Sequence, residues 1–252
     1  MDEVKSDSKK PDNQLVAQVR QLEWSAPFKW LRMGWNDYLD ARQLSLEYGL
    51  FFALSGVLLT ALVVYFTSKI FIFGLVFLFI LLGPLFAFGL YDIPRQLELG
   101  EKPTLKHSLQ QIRESAANQW VFAVVICVVS LIWLRAATII HVFYPEGGDP
   151  TLEELLTFFA VGISAGAFFS ALVFGISAFS LPMMMDRNVD AISASITSLS
   201  AVMNNMWVAG MWGLLIAGLI FLGFATAFIG LIVVLPVIGY ATWHGYKDTI
   251  LD

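Results

Sequence analysis

Residues 207–246 read WVAGMWGLLIAGLIFLGFATAFIGLIVVLPVIGYATWHGY, forty consecutive residues without one Asp, Glu, Lys or Arg. The hydrocarbon core of a bilayer is about 30 Å thick, and about 20 helical residues cross it. The forty residues are therefore two crossings, with the turn near residues 225–230. A single tilted helix of that length would project far beyond any bilayer. The stretch predicts a helical hairpin inside a membrane.

Working outward, the same reading applies to most of the chain. Apolar runs at about 49–66, 70–91, 120–143 and 155–181 join those at 207–225 and 229–246, giving six spans. Hydrophobic residues make up 58% of the 252 and charged residues only 14%. A soluble domain needs about 25% charged residues to wet its surface. The 21 Phe and 8 Trp suit lipid-facing surface and interface anchors. The single cysteine, Cys127, lies inside an apolar run and has no partner for an intramolecular disulfide. No secretory signal peptide is visible before the first span. The fold expected is all-α integral membrane, with six transmembrane helices.

Between the spans lie amphipathic pieces. Residues 1–14 are polar and charged and read as a disordered tail. Residues 15–47 form an interfacial segment in which Ser25 caps and Pro27 starts a helix. There Phe28, Leu31, Trp35, Tyr38 and Leu39 recur at helical spacing, while Lys29, Arg32, Asn36, Asp37 and Asp40 fall mostly elsewhere. Such a helix either lies in the headgroup region or packs on the protein's own surface. Residues 92–119 read as a polar loop, and 186–205 as a connector with Ile192, Ile196, Leu199 and Met203 at helical spacing. The membrane domain then spans 48–248, and 249–252 form a tail.

Orientation follows from the basic residues, which concentrate in cytoplasmic loops. Thirteen of the 15 Lys and Arg precede span 1 or lie in the span 2–3 loop, the span 4–5 loop and the C-terminal tail. The other side has Lys69 and the intramembrane Arg135, and it holds Glu146, Asp149, Glu153 and Glu154. A bacterial inner-membrane protein with both termini cytoplasmic is expected.

A weak repetition runs through the chain. Spans 2, 4 and 6 each contain a proline (Pro84, Pro182, Pro236) and exit near an aspartate (Asp92, Asp186, Asp248). Asn-x-Trp precedes spans 3 and 5, at Asn118–Trp120 and Asn205–Trp207. Three consecutive hairpins, each fed by an amphipathic cytoplasmic helix, would give parallel repeats; chance similarity among apolar segments is the competing account.

The strings WLRMGWND (30–37), SLEYGL (45–50), YDIPRQLELGE (91–101), SLPMMMDRNVDA (180–191) and ATWHGYKD (241–248) resemble the bacterial family of predicted integral membrane proteins called domain of unknown function 2189. The resemblance implies a six-helix membrane protein without an established activity. Some members carry a label as cytochrome c oxidase subunits. Haem–copper chemistry needs several histidines at membrane depth. This chain has three, His107, His141 and His244, and two of them fall at opposite faces of the membrane. It is no catalytic subunit of that kind.

No catalytic constellation, metal set or cofactor motif is present in the sequence, and nothing suggests nucleic-acid binding. The candidate functional residues are few. Arg135 is an intramembrane charge, a functional candidate by default, although it could snorkel outward or pair with Glu153 or Glu154. Asp92, Arg95, Asp186, Arg187, His244 and Asp248 gather at the exits, where they either cap helices or form a binding surface for a partner or a lipid headgroup. Gly162, Gly166 and Ser170 form a small-residue stripe suited to helix packing. The sequence thus points to a non-enzymatic accessory or interaction component of a membrane assembly, with the bilayer and a membrane-protein partner or second copy as its contacts. A small-molecule or ion transporter using Arg135 is the alternative.

Overall fold

The computed structural model describes residues 17–66, 69–145, 150–187 and 189–251, with the side chains of 69–82 and 85 left aside. The expected tail at 1–14, the turn residues Thr67 and Ser68 and the acidic residues Glu146 and Asp149 lie outside the described residues.

The described residues form ten α-helices: α1 (Ala26–Asp40), α2 (Arg42–Tyr65), α3 (Lys69–Glu98), α4 (Leu105–Glu114), α5 (Ala116–Val142), α6 (Leu152–Ser177), α7 (Ser180–Arg187), α8 (Ala191–Asn204), α9 (Met206–Ala225) and α10 (Leu231–Thr249). The protein is an all-helical integral membrane protein. Among the described residues, four stretches are long and apolar enough to cross a bilayer, namely 42–65, 116–142, 152–187 and 206–225.

The 92–119 segment is not the loop its polarity suggested. α3 runs on through Pro94 to Glu98, ends at the left-handed Gly100, and α4 follows. Asp92, Gln96, Ser108 and Gln119 there are buried against other helices. Span 4 is likewise two helices, bending at 178–179 one turn before Pro182. Pro84 and Pro236, by contrast, sit inside the unbroken α3 and α10, so the three prolines are not equivalent. The last turn falls at 226–230 as the sequence indicated, with Ala227 and Phe228 both at positive φ.

The element order repeats. A short helix, a one-residue break and a long helix occur three times, with Ala41, Ser115 and Asn205 as the breaks. Asn118 lies inside α5 while Asn205 is itself a break, so the two Asn-x-Trp strings are out of register. Packing repeats as well: α4 lies on α3, α8 on α6 and α7, and α1 on α10. Each short helix thus rests on the long helix that ends the preceding unit, and the last unit closes on the first.

The contact faces have a common chemistry. Seven residues before each break stand Gly34, Ser108 and Ser198, all buried. A Cβ on Gly34 would come within 2.6 Å of the Ala241 nitrogen and 2.7 Å of the Val237 carbonyl. Ser198 donates to the Gly175 carbonyl (2.7 Å) and accepts from the Phe179 amide (3.0 Å). Many large apolar residues point the other way: Phe28, Trp35 and Leu39 of α1, Leu105 and Leu109 of α4, and Ile192, Ile196 and Met203 of α8 are exposed. The expected apolar stripes of α1 and α8 are therefore mostly outward faces; α1 docks instead through Trp30, Gly34 and Tyr38. A large apolar side chain gains little by leaving lipid for protein, whereas small residues let backbones approach closely.

α10 is the centre. Thirteen of its 19 residues are buried, and α1, α2, α3 and α9 surround it. Its moderate polarity follows, because it faces protein rather than lipid. Trp30 is 1% exposed and packs edge-on against both Trp212 and Phe179. α2 crosses α10 so closely at Gly49 that a Cβ there would lie 1.8 Å from the Ile232 carbonyl oxygen.

Candidate functional site

The last two turns of α10 carry His244, Tyr246, Lys247 and Asp248, whose side chains reach α1, α3 and α7. His244 is buried, and its Nε2 lies 2.6 Å from Asp37 Oδ2 of α1 while Nδ1 lies 3.8 Å from Glu98 of α3. Tyr246 donates to Asp186 of α7 (2.7 Å) and accepts from Arg187 Nε (2.8 Å). Lys247 pairs with Asp186 at 3.0 Å. Asp248 accepts the Trp30 indole N–H (3.0 Å) and lies near Arg20 (3.4 Å) and Lys29 (4.0 Å).

The chain ends are tied into the same network. The Arg20 amide donates to the Thr249 carbonyl (2.8 Å) and the Leu251 amide to the Gln18 carbonyl (2.9 Å), around an isolated antiparallel bridge of Val19 and Ile250. Arg187 donates to the carbonyls of Leu251 (2.7 Å) and Ile250 (3.0 Å). The Asn205 side chain accepts from the Leu22 amide and donates to the Arg20 carbonyl, fixing the incoming strand to the α8–α9 break. The described beginning and end of the chain therefore lie on one side of the molecule.

A second polar centre sits between α3 and α4. Asp92 is fully buried, and its Oδ2 accepts from Gln96 Nε2 (2.6 Å), Ser108 Oγ (2.8 Å) and His107 Nδ1 (2.8 Å). Arg95 stands 4.0 Å from Oδ1, which has no hydrogen bond, and the nearby buried Tyr48 hydroxyl also lacks one. Beside the third short helix, Asp190 caps α8 through the Ile192 and Ser193 amides (2.9 and 3.0 Å). Hydrogen bonding from Ser193, its side chain foremost, holds the Asp190 carboxyl below its ordinary range.

Six of the residues singled out in the sequence are thus drawn into this polar base: Asp92 and Arg95 in one centre, and Asp186, Arg187, His244 and Asp248 in the other. Arg135 stands apart. It is exposed on α5 and forms no ion pair with any described residue; Glu154 is engaged in a capping box with Thr151 instead. Of the small-residue stripe, Gly162 has no atom within 4 Å of a Cβ position, Gly166 faces Trp133, and Ser170 lines a groove with Trp133 and Phe169.

Sequence reasoning missed the partners that complete these centres: Asp37, Glu98, Gln96, His107, Ser108 and Trp30. Their polarity was visible, but pairing partners separated by up to 218 positions, as Trp30 and Asp248 are, have no local signature. Chemically, the arrangement joins helices; among the described residues no group of three or more His, Cys, Asp or Glu side chains could hold a metal ion.

Buried polar networks at one end of long apolar helices define a multi-pass α-helical membrane protein. Residues 70–186, α3 to α7 and just under half of the chain, match the family described as predicted integral membrane protein (DUF2189), which carries no assigned function. No curated protein matches the chain, and no solved structure does.

Proposed function

We propose that this chain is a non-catalytic accessory component of a bacterial inner-membrane assembly, bound to a membrane-protein partner through the outward faces of α5 and α6. The observation that carries this reading is Arg135. It lies on a helical face otherwise made of Val128, Leu131, Ile132 and Ile139, all exposed, and no described residue neutralises it. A charge facing hydrocarbon costs up to roughly 2.5–3.5 kcal/mol on insertion scales at the bilayer centre and less towards its edge, and an acidic or hydrogen-bonding group on a partner offsets that cost. α3 and α10 complete six crossings in this reading, and the adjoining chain ends support an even number. The thirteen basic residues on their side support a cytoplasmic base, with α1, α4 and α8 along the inner interface.

The competing reading, a transporter using Arg135, needs a water-filled cavity at that residue. The two grooves found between α5 and α6 are lined by other side chains: Ser130, Trp133, Ser170 and Ser177 in one, Thr151, Glu153 and Phe158 in the other. Photo-crosslinkers at positions 132 and 139 in native membranes should trap one discrete protein, and Arg135→Leu should abolish the adduct. Adducts with lipid alone would overturn the proposal.

A further inference from the structure

The basic and apolar faces of α4 meet at a single residue, Leu109. On one side, a groove of about 250 Å³ between α2, α3 and α4 is lined by Phe51, Phe52, Phe86, Leu105, Leu109 and Ile112, with Tyr48 at its wall. Its one charged neighbour, Glu47, is held by Gln43 (3.1 Å). The groove falls below the roughly 300–1,000 Å³ of sites for compact small ligands, and its lining asks for an alkyl chain. On the other side of Leu109, a more open groove is lined by Lys106, Gln110, Arg113 and Glu114. Glu114 is occupied by Gln110 (2.7 Å) and Gln111 (3.4 Å), and neither Lys106 nor Arg113 has an ion-pair partner among the described residues.

Two free cations one helical face away from an alkyl-sized groove match the two halves of one molecule. We propose that α4 and the α2–α3 cleft bind one anionic phospholipid, its phosphate on Lys106 and Arg113 and one acyl chain in the Phe51–Phe86–Leu109 groove. The base holds α4 in place for this: Ser108 and His107 anchor it to Asp92, which leaves Leu105 and Leu109 facing outward. A rigid anchored helix presents its basic stripe at the headgroup level, where anionic lipid attracts Lys and Arg. The inference rests on α4 lying at the membrane interface, as the proposed topology places it, and is independent of what α5 and α6 contact.

The test is lipid retention by the full chain, delipidated in detergent and titrated with phosphatidylglycerol or phosphatidylcholine of identical chains, read by native mass spectrometry. Phosphatidylglycerol should be retained as one tight molecule, and Lys106→Gln and Arg113→Gln should each weaken it about fivefold. Leu109→Asn should weaken both lipids, and all three variants should melt as the parent does without lipid, because these side chains are exposed. Equal retention of the two lipids, unchanged retention by the double K106Q/R113Q variant, or the same thermal stabilisation by inorganic phosphate alone would each overturn the proposal. A negative result here with a positive crosslink at position 132 would leave the accessory reading standing.

Discussion

The base around α10 and the long helices α5 and α6 differ in polarity and in what surrounds them. Only 6% of the most apolar stretch of α5, and of the stretch beginning with α6, is buried within the chain. In α10, 13 of 19 residues are buried, among them Tyr240, Trp243 and Tyr246 at no exposure at all. The difference teaches that in this molecule hydrophobicity reports the solvent, and small or polar residues report the packing. The base is joined by Gly34, Gly49, Ser108 and Ser198 and by charges in pairs; α5 and α6 keep most of their apolar surface outside the chain.

The sharpest way to break that comparison is to cut a large side chain from each region. Trp30→Ala removes a buried ring, its contacts with Trp212 and Phe179 and its bond to Asp248; it should cost about 3–5 kcal/mol in a detergent melt. Next comes bulk added where backbones touch. Gly49→Ala must push α2 from the Ile232 carbonyl and should cost about 3 kcal/mol, at the upper end for overpacking. Asp92→Ala strands the buried Ser108 hydroxyl and Gln96 amide and should cost about 2 kcal/mol, with α4 losing protection in hydrogen exchange before any other helix. Hydrogen exchange that rises uniformly across the molecule would show that Asp92 is not specific to the α3–α4 contact.

Smaller effects test the edges of the comparison. Asp190→Ala should cost about 1 kcal/mol through the lost α8 cap. The Asp190 carboxyl is held below its ordinary value of 3.8, so the cap's contribution is complete above that pH and is lost as the pH falls through the lower folded value. The variant's own acid melting curve should be flatter below that point. Gly162→Ala, with no atom within 4 Å of the new methyl, should leave the isolated protein unchanged or gain up to about 1 kcal/mol from helix propensity. If it instead releases a co-purifying protein, the bare face is an interface.

The long apolar helices were legible because a bilayer imposes a length that the sequence displays directly. The final hairpin, the start of α1 at Pro27 and the gathering of exit residues were legible because punctuation and charge are local signals, whereas the expected Ser25 cap does not form and its hydroxyl donates to Glu23 instead. The helical nature of 92–98 and 105–114 was not, because Gln96, His107 and Ser108 are polar in order to meet Asp92, and sequence alone reads polarity as contact with water. The inward faces of α1 and α8 were misread for a related cause. Periodicity finds the largest apolar stripe, and here that stripe is the outward one, while Gly34, Ala194, Ser198 and Ala201 make the contact. Arg135 forms no ion pair among the described residues, so the pairing with Glu153 or Glu154 that its position suggested is not made, and Glu154 caps α6 with Thr151 instead.

The clasp between residues 18–20 and 249–251 sets the order in which the molecule can be completed during synthesis. Of the described helices α1 leaves the ribosome first, but the surface it rests on belongs to α10, which emerges last. Until then Trp30 has neither Asp248 nor the α10 backbone, and the face around Gly34 stays uncovered. A chain halted anywhere before α10 cannot close its base. The clasp therefore makes the finished base depend on α1 and α10 together, although more than 180 residues separate them in the chain.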